Sequence, residues 1–332
     1  MTNRKLAATA PTGVTAPTGV TAPTGVAGLI GVTAAIAASL AYRALRQFPP
    51  GGEKPWARVN HRGEPVTLLE GPAVVVGSLA GTAAGTMATA IAASQVLPPQ
   101  VALAMSVAGG GAAAFGALDD LKGSGKRRGL RGHLGALGHG EVTTGAVKLA
   151  GIGVTGTVAA LLMRRDSSGP VDCAVNAGLI AGGANLLNLF DLRPGRAIKV
   201  TLLAAGLIGA SGVGADASGA GRGARAAAAV AAPVGAALAL FPADLRERAM
   251  LGDAGANALG AMLGVAAATA LPRPARIGLL AGIVTLTGLS EKVSFTRVIA
   301  RTPALNWLDM LGRRQVAVSS PPPPPLPPTA PQ

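Results

Sequence analysis

The chain is poor in the residues from which soluble proteins build polar surfaces and sites. Only 13% of its 332 residues are charged, against about 25% in a typical soluble domain, which argues against a water-exposed globule. Cys173 is the only cysteine, so no intrachain disulfide forms and dithiol redox chemistry is excluded. Aromatic residues make up 2%, too few for the Trp and Tyr belts that mark membrane borders. Of three histidines, none lies beyond His139. Acids are scarce as well: 15 Asp and Glu stand against 29 Lys and Arg, a net charge of +14. In a chain with many apolar runs, that excess is read as basic loops facing anionic lipid and anionic substrates, and no nucleic-acid partner is expected.

What is abundant is small and apolar. Hydrophobic residues reach 49%, mean hydropathy is +0.46 and there are 48 glycines, a composition that lets membrane helices approach closely. Apolar runs recur at residues 26–46, 71–93, 101–118, 145–163, 171–190, 198–214, 224–241, 255–271 and 276–290. Each is near the length that crosses a hydrocarbon core. The expected fold is therefore an all-α polytopic membrane bundle of about nine spans over residues 26–290. Residues 1–25 repeat Ala-Pro-Thr-Gly-Val-Thr and read as a flexible tail, with no cleaved signal peptide expected because the proline-rich insert interrupts its pattern. Residues 291–318 read as a juxtamembrane segment in which Phe295, Ile299, Leu305 and Leu308 suit an amphipathic surface helix. Residues 319–332 read as a proline-rich extended tail.

Orientation follows from counting cations. With the N-terminus outside, 21 of the 29 Lys and Arg fall on the inner side and 8 on the outer, so N-out, C-in is expected. On that map Asp119, Asp120, Asp191 and Asp253 all lie at inner ends of spans or in short inner loops. Twelve of the fifteen acids are inner, so the clustering is partly a property of the loops.

Four inner stretches carry candidate chemistry. Asp119-Asp120 closes the third run, and adjacent carboxylates need a cation, a proton or water. Lys122, Lys126, Arg127, Arg128 and Arg131 follow, suited to phosphate oxygens or to lipid headgroups; the spacing is not that of a P-loop. Asn185-x-x-Asn188-x-x-Asp191 puts three polar groups along one helix face, costly in a membrane unless paired and so site candidates, with interhelical hydrogen bonding as the competing role. Gly252-Asp253-Ala254-Gly255 by itself reads as a helix N-terminus. The first inner loop, residues 53–65, is polar and turn-rich and contains His61.

Taken together and in this order, Gly116-Ala117-Leu118-Asp119-Asp120, Gly129-Leu130, Asn185-x-x-Asn188-x-x-Asp191 and Gly252-Asp253-Ala254-Gly255 resemble the polyprenyl-phosphate N-acetylhexosamine-1-phosphate transferases, a family that serves peptidoglycan and other cell-envelope synthesis. The similarity runs from about residue 60 to residue 264. It implies a multi-pass plasma-membrane enzyme with a cytoplasmic active site. That enzyme would move a sugar-1-phosphate from a UDP-sugar to polyprenyl phosphate with release of UMP. Mg²⁺ would be the cofactor, Mn²⁺ its substitute. The resemblance makes Asp253 the leading metal ligand, with Asp119 and Asp120 as metal ligands or activators of the lipid phosphate. Asn185, Asn188 and Asp191 would hold nucleotide and diphosphate, and Lys122, Lys126, Arg131 and His61 would contact substrate. The expected partners are polyprenyl phosphate, the UDP-sugar, the bilayer and a second copy in a homodimer.

Three departures from the family pattern stand in the sequence. Leu192-Arg193-Pro194-Gly195 replaces the Gly-x-Asp-Gly that follows the Asn/Asp motif, Ala256 replaces a serine, and Glu291 to Arg297 carries no histidine cluster. They imply altered diphosphate or sugar handling, and they leave open a non-catalytic relative that binds polyprenyl phosphate or an envelope partner. A transporter is the remaining class, but no repeat between the halves supports it.

Overall fold

The computed structural model describes residues 21–92, 96–122, 142–164, 169–211 and 221–314. These form eleven α-helices and one small hairpin. The long helices are α1 (Thr21–Gln47), α2 (Glu70–Ile91), α3 (Pro99–Lys122), α4 (Thr144–Leu162), α5 (Pro170–Phe190), α6 (Arg196–Ser211), α7 (Arg222–Leu245), α8 (Gly252–Ala270) and α9 (Arg273–Ser290). Two short ones follow, α10 (Phe295–Arg301) and α11 (Pro303–Met310). Every apolar run read from the sequence coincides with a helix over its described residues. α1 begins five residues inside the segment read as tail.

Among the described residues, six helices (α1, α2, α3, α4, α5 and α7) are long and apolar enough to cross a membrane, and α9 with α10 makes a seventh if that bent pair counts as one span. The protein is thus an all-α bundle of membrane-embedded character. α6, at 16 residues, is short. α8 carries Asp253 and Asn257 in its first turns and is enclosed by protein: 16 of its 19 residues are buried. It packs against α2, α3, α5, α6 and α7. A helix shielded in this way does not need the hydropathy of one that faces lipid.

Glycine makes that central position possible. A Cβ at Gly260 would overlap the Gly183 carbonyl of α5, and one at Gly264 would lie 2.6 Å from Ile180 Cα. Backbones that touch in this way pack by van der Waals contact, the main attraction between helices where lipid removes the hydrophobic drive. Local signals set the helix starts. Thr143 caps α4 by accepting from the Ala146 N–H at 3.1 Å, and prolines open α5, α9 and α11, where a missing N–H costs nothing.

The polar loop at residues 53–65 folds rather than merely connecting. β1 (Ala57–Val59) pairs antiparallel with β2 (Pro65–Thr67) in the register Arg58↔Val66. Asn60 Oδ1 closes the turn by accepting from the Arg62 and Glu64 N–H groups at 2.8 and 2.9 Å. Met250 N–H donates to the Thr67 carbonyl at 3.0 Å, tying the hairpin to the start of α8.

Candidate functional site

The site is assembled where the C-terminal end of α3, the N-terminal end of α4 and the N-terminal end of α8 meet. Three glycines allow the approach. A side chain at Gly116 would overlap the Asp253 carbonyl, one at Gly71 would overlap the Leu251 carbonyl, and one at Gly255 would lie 2.8 Å from Gly71 Cα. Gly252 turns into α8 with φ +61°, a conformation that favours glycine. The motif's glycines are therefore packing requirements before they are anything else.

With the backbones this close, Asp120 reaches the first turn of α8. Its Oδ1 accepts from Asp253 N–H at 3.1 Å and its Oδ2 from Ala254 N–H at 3.0 Å. A carboxylate there satisfies orphan donors and meets the positive end of the helix dipole. Arg58 of the hairpin donates to the Asp120 carbonyl oxygen. Asp119 points elsewhere. Lys148, one turn into α4, places Nζ 3.0 Å from Asp119 Oδ2 and 2.5 Å from Asp253 Oδ2. One ammonium thus bridges two carboxylates from helices more than a hundred residues apart in sequence, and all three side chains are mostly shielded from solvent.

A cleft of about 160 Å³ opens beside this triad, lined by Asn60, His61, Asp191, Arg193, Asp244 and Glu247 among others. Asp191 caps the end of α5 and is 7% exposed. Burial, then the Asp244 and Asp253 carboxylates, push its carboxyl well above the ordinary value. Burial and the nearby Arg193 guanidinium hold the His61 imidazole below its usual value, so it is neutral at pH 7. Glu247 accepts from Asn60 Nδ2 at 2.7 Å and pairs with Arg62 Nε at 3.1 Å. Asp244 Oδ1 accepts from Gly195 N–H at 3.0 Å. Among the described residues, Asp191 Oδ2, Asp244 Oδ2 and both carboxylate oxygens of fully buried Glu70 have no hydrogen-bond partner. Unsatisfied buried oxygens of this kind call for protons, water or a cation.

The structure therefore brings Asp119, Asp120 and Asp253 together, with Asp191 and His61 in the adjoining cleft. Asn185 and Asn188 are half-buried on the last turns of α5 leading to Asp191, and neither side chain hydrogen-bonds among the described residues. Lys122 is exposed at the end of α3 and makes none of these ion pairs. Lys126 and Arg131 lie outside the described residues.

Sequence reading missed Lys148, Arg58, Glu70, Asp244 and Glu247 as parts of this pole. Lys148 had a visible signal, as the only charge in the helix Thr144–Leu162, because a lone cation in an apolar span is expensive and marks a partner. The others stood in stretches read as loop or span edge.

Among the described residues no group of three or more His, Cys, Asp or Glu is arranged to hold a metal. Asp119 and Asp253 still fit Mg²⁺ chemistry. Mg²⁺ commonly takes one or two carboxylates and completes its shell with water and substrate phosphate, and a cation, Lys148, already sits between these two. Neither a known protein family nor a curated protein matches the chain. The class that fold and site define is an all-α, membrane-embedded helix bundle with a charged, partly buried pole.

Proposed function

We propose that the chain is a multi-pass transferase that moves a sugar-1-phosphate from a UDP-sugar to polyprenyl phosphate. The observation that carries this reading is the Lys148-bridged pair of Asp119, at the C-terminal end of α3, and Asp253, at the N-terminal end of α8. It gives a compact set of charges at the end of a membrane bundle, where an anionic lipid phosphate and an anionic nucleotide would have to meet. In the reaction, a phosphate oxygen of the lipid attacks the sugar-bearing phosphorus of the UDP-sugar. A P–O bond forms there, the bond from that phosphorus to the bridging oxygen breaks, and UMP leaves with the electron pair.

Each nearby group has a part in that transfer. Asp119 and Asp253 would hold Mg²⁺, which when bound neutralises charge on the diphosphate. Lys148 adds a fixed positive charge beside them that needs no reorganisation. Asp120 holds the first turn of α8, so that Asp253 is presented at one height. The neighbouring cleft of about 160 Å³, with Asp191 and neutral His61, would take the sugar or one phosphate of the donor rather than the whole nucleotide-sugar, and Asn185 and Asn188 lead into it. The same reading uses nine spans, N-out and C-in, in the plasma membrane, which puts this pole in the cytoplasm with the basic loops.

UMP release tests it. Purified protein is incubated with polyprenyl phosphate, Mg²⁺ and a panel of UDP-N-acetylhexosamines including the muramoyl-pentapeptide. Lipid- and metal-dependent release that disappears in Asp253→Ala, with unfolding behaviour retained, is expected. Release that persists undiminished in that variant removes Asp253 from the chemistry and overturns the reading.

One observation favours a second reading, a non-catalytic relative that binds polyprenyl phosphate. Lys148 already pairs with both acids, and Pro194 stands where the family's second aspartate would be. That protein would bind the lipid phosphate and release no UMP from any donor.

A further inference from the structure

The end of the bundle that holds the acidic pair carries a second feature, on the side where α1 and α7 meet. The two helices run in close contact, since a side chain at Gly235 of α7 would overlap the Gly31 carbonyl of α1. Where they end they leave a cleft of about 230 Å³. Arg43 and Arg46 come to it from the last turns of α1, Arg246 from the end of α7 and Arg248 from the turn that follows. Among the described residues no carboxylate lines it. An adjoining cleft of about 250 Å³, on the side of the hairpin, shares Arg46 and Arg248 and adds one acid, Glu53.

The charge balance here differs from that of the rest of this end. Arg62 meets Glu247, Arg196 and Arg313 meet Asp309, and Arg314 meets Glu64. Arg46 lies over the Tyr42 ring, 5.9 Å from its centroid, and among the described residues none of Arg43, Arg46, Arg246 and Arg248 pairs with a carboxylate. The acids closest to them in the chain are engaged elsewhere. Glu247 holds Asn60 and Arg62 in the other cleft, and Asp244 accepts from Gly195 N–H. Four guanidiniums gathered around one concavity, with Glu53 as the only acid at its margin, make a local field that attracts an anion.

Position decides which anion. Leu29, Val32, Ile36 and Leu40 of α1 are 48–59% exposed and lie along one helix face that continues to Arg43. An apolar face running up to exposed arginines matches a phospholipid, with acyl chains along the helix and phosphate at its end, and does not match a free anion. Guanidinium forks fit the paired oxygens of a phosphodiester, and basic pockets between membrane helices suit headgroups of more than one charge. Two clefts that share two arginines offer two phosphate positions. We propose that they seat the headgroup of a phospholipid with two phosphodiesters, of the cardiolipin type, with Arg43, Arg46, Arg246 and Arg248 as the donors. The proposal does not depend on the transferase reading.

The test is native mass spectrometry of delipidated full-length protein in an uncharged maltoside detergent. Tetraoleoyl cardiolipin, dioleoyl phosphatidylglycerol and dioleoyl phosphatidylcholine are titrated separately. One cardiolipin per chain is expected to bind, roughly tenfold or more tighter than phosphatidylglycerol, with phosphatidylcholine weakest. Arg43→Gln/Arg246→Gln should weaken cardiolipin roughly tenfold or more. Arg297→Gln/Arg301→Gln removes the same charge from exposed positions on α10 and should change it less than about twofold. Should the first double variant not fold, Arg248→Gln alone is expected to weaken cardiolipin several-fold. Cardiolipin that binds no tighter than phosphatidylglycerol, or equal weakening by the two double variants, overturns the proposal, the latter because net charge alone would then explain the binding. Asp253→Ala should bind cardiolipin as the parent does, which separates this site from the acidic pair.

Discussion

Lys148 is the residue on which the acidic pole turns. Its Nζ lies 2.5 Å from Asp253 and 3.0 Å from Asp119, so removing it leaves two carboxylates facing each other in a setting poor in water. Loss of one partner from a shielded ion cluster costs about 3–5 kcal/mol. Lys148→Met is therefore expected to lower the thermal midpoint clearly. Mg²⁺ should recover more of that loss in the variant than it adds to the parent, because the metal takes the place the ammonium leaves. A Mg²⁺ effect no larger in Lys148→Met than in the parent would show that Mg²⁺ does not take the ammonium's place between Asp119 and Asp253. The same residue marks how far sequence reading reached. The acids were legible, because Asp at the end of an apolar run is conspicuous. Their cation was not singled out, because nothing within α4 says which helices α4 will touch.

At the scale of elements, the C-terminal pair α10 and α11 is the part whose role depends most on contacts. α10 leaves α9 at 97°. Asp309 on α11 receives Arg196 through both carboxylate oxygens, at 2.8 and 2.9 Å, and Arg313 at 2.7 Å. Arg196 also reaches Thr296 at 3.1 Å, and Phe190 stacks on Phe295 with ring centroids 5.3 Å apart. Burial opposes the charge on Asp309, but Arg196, Arg313 and Lys199 outweigh it and hold the carboxyl below its ordinary value. A folded-state value below the unfolded one gives stability that is present above the ordinary Asp value of about 3.9 and is lost as pH falls through the lower, folded one. Asp309→Asn should thus free the C-terminal segment to limited proteolysis at pH 7 and differ little from the parent once Asp309 is protonated in both states. A difference that persists unchanged into that acid range would contradict the ion-pair account.

α11 is also inverted for a helix in water. Asp309 is its one buried residue, while Leu305, Trp307, Leu308 and Met310 are exposed. Such a face suits the bilayer interface, where Trp is at home. In a Trp56→Phe background Trp307 is the sole tryptophan. In proteoliposomes its fluorescence should be quenched by lipids brominated near the headgroup and be shielded from aqueous iodide. Strong iodide quenching with no effect of brominated lipid would place α11 in water.

For the whole molecule, the two ends of the bundle differ in the side-chain clusters they hold and not in the sign of their charge, since cations outnumber acids on both sides of the expected topology. Asp119, Asp120, Asp191 and Asp253 gather at one, and Arg222, Arg225 and Arg276 at the other. The N-out, C-in arrangement expected from the cation count gives this polarity a direction. In a Cys173→Ser background, Arg222→Cys should react with a membrane-impermeant maleimide in intact cells, and Lys122→Cys only after permeabilisation. The reverse pattern would invert the topology, and the acidic pole would then face outward.

The sequence by itself determined the helical class, the position of every long helix to within a few residues, and the set of acids that sit at their ends. Those are local quantities: hydropathy over about twenty residues is enough to mark a segment that leaves water, and a proline or a threonine is enough to start its helix. The tertiary structure alone decided which helix is enclosed, that residues 57–67 pair as a hairpin, that Asp120 anchors α8 while Asp119 turns to Lys148, and that Glu70, Asp191 and Asp244 bury oxygens with no partner among the described residues. Those outcomes depend on glycine contacts such as Gly71 with Gly255 and Gly183 with Gly260. They join segments from 77 to 184 residues apart in the chain, and no local pattern of hydropathy records which glycine will meet which.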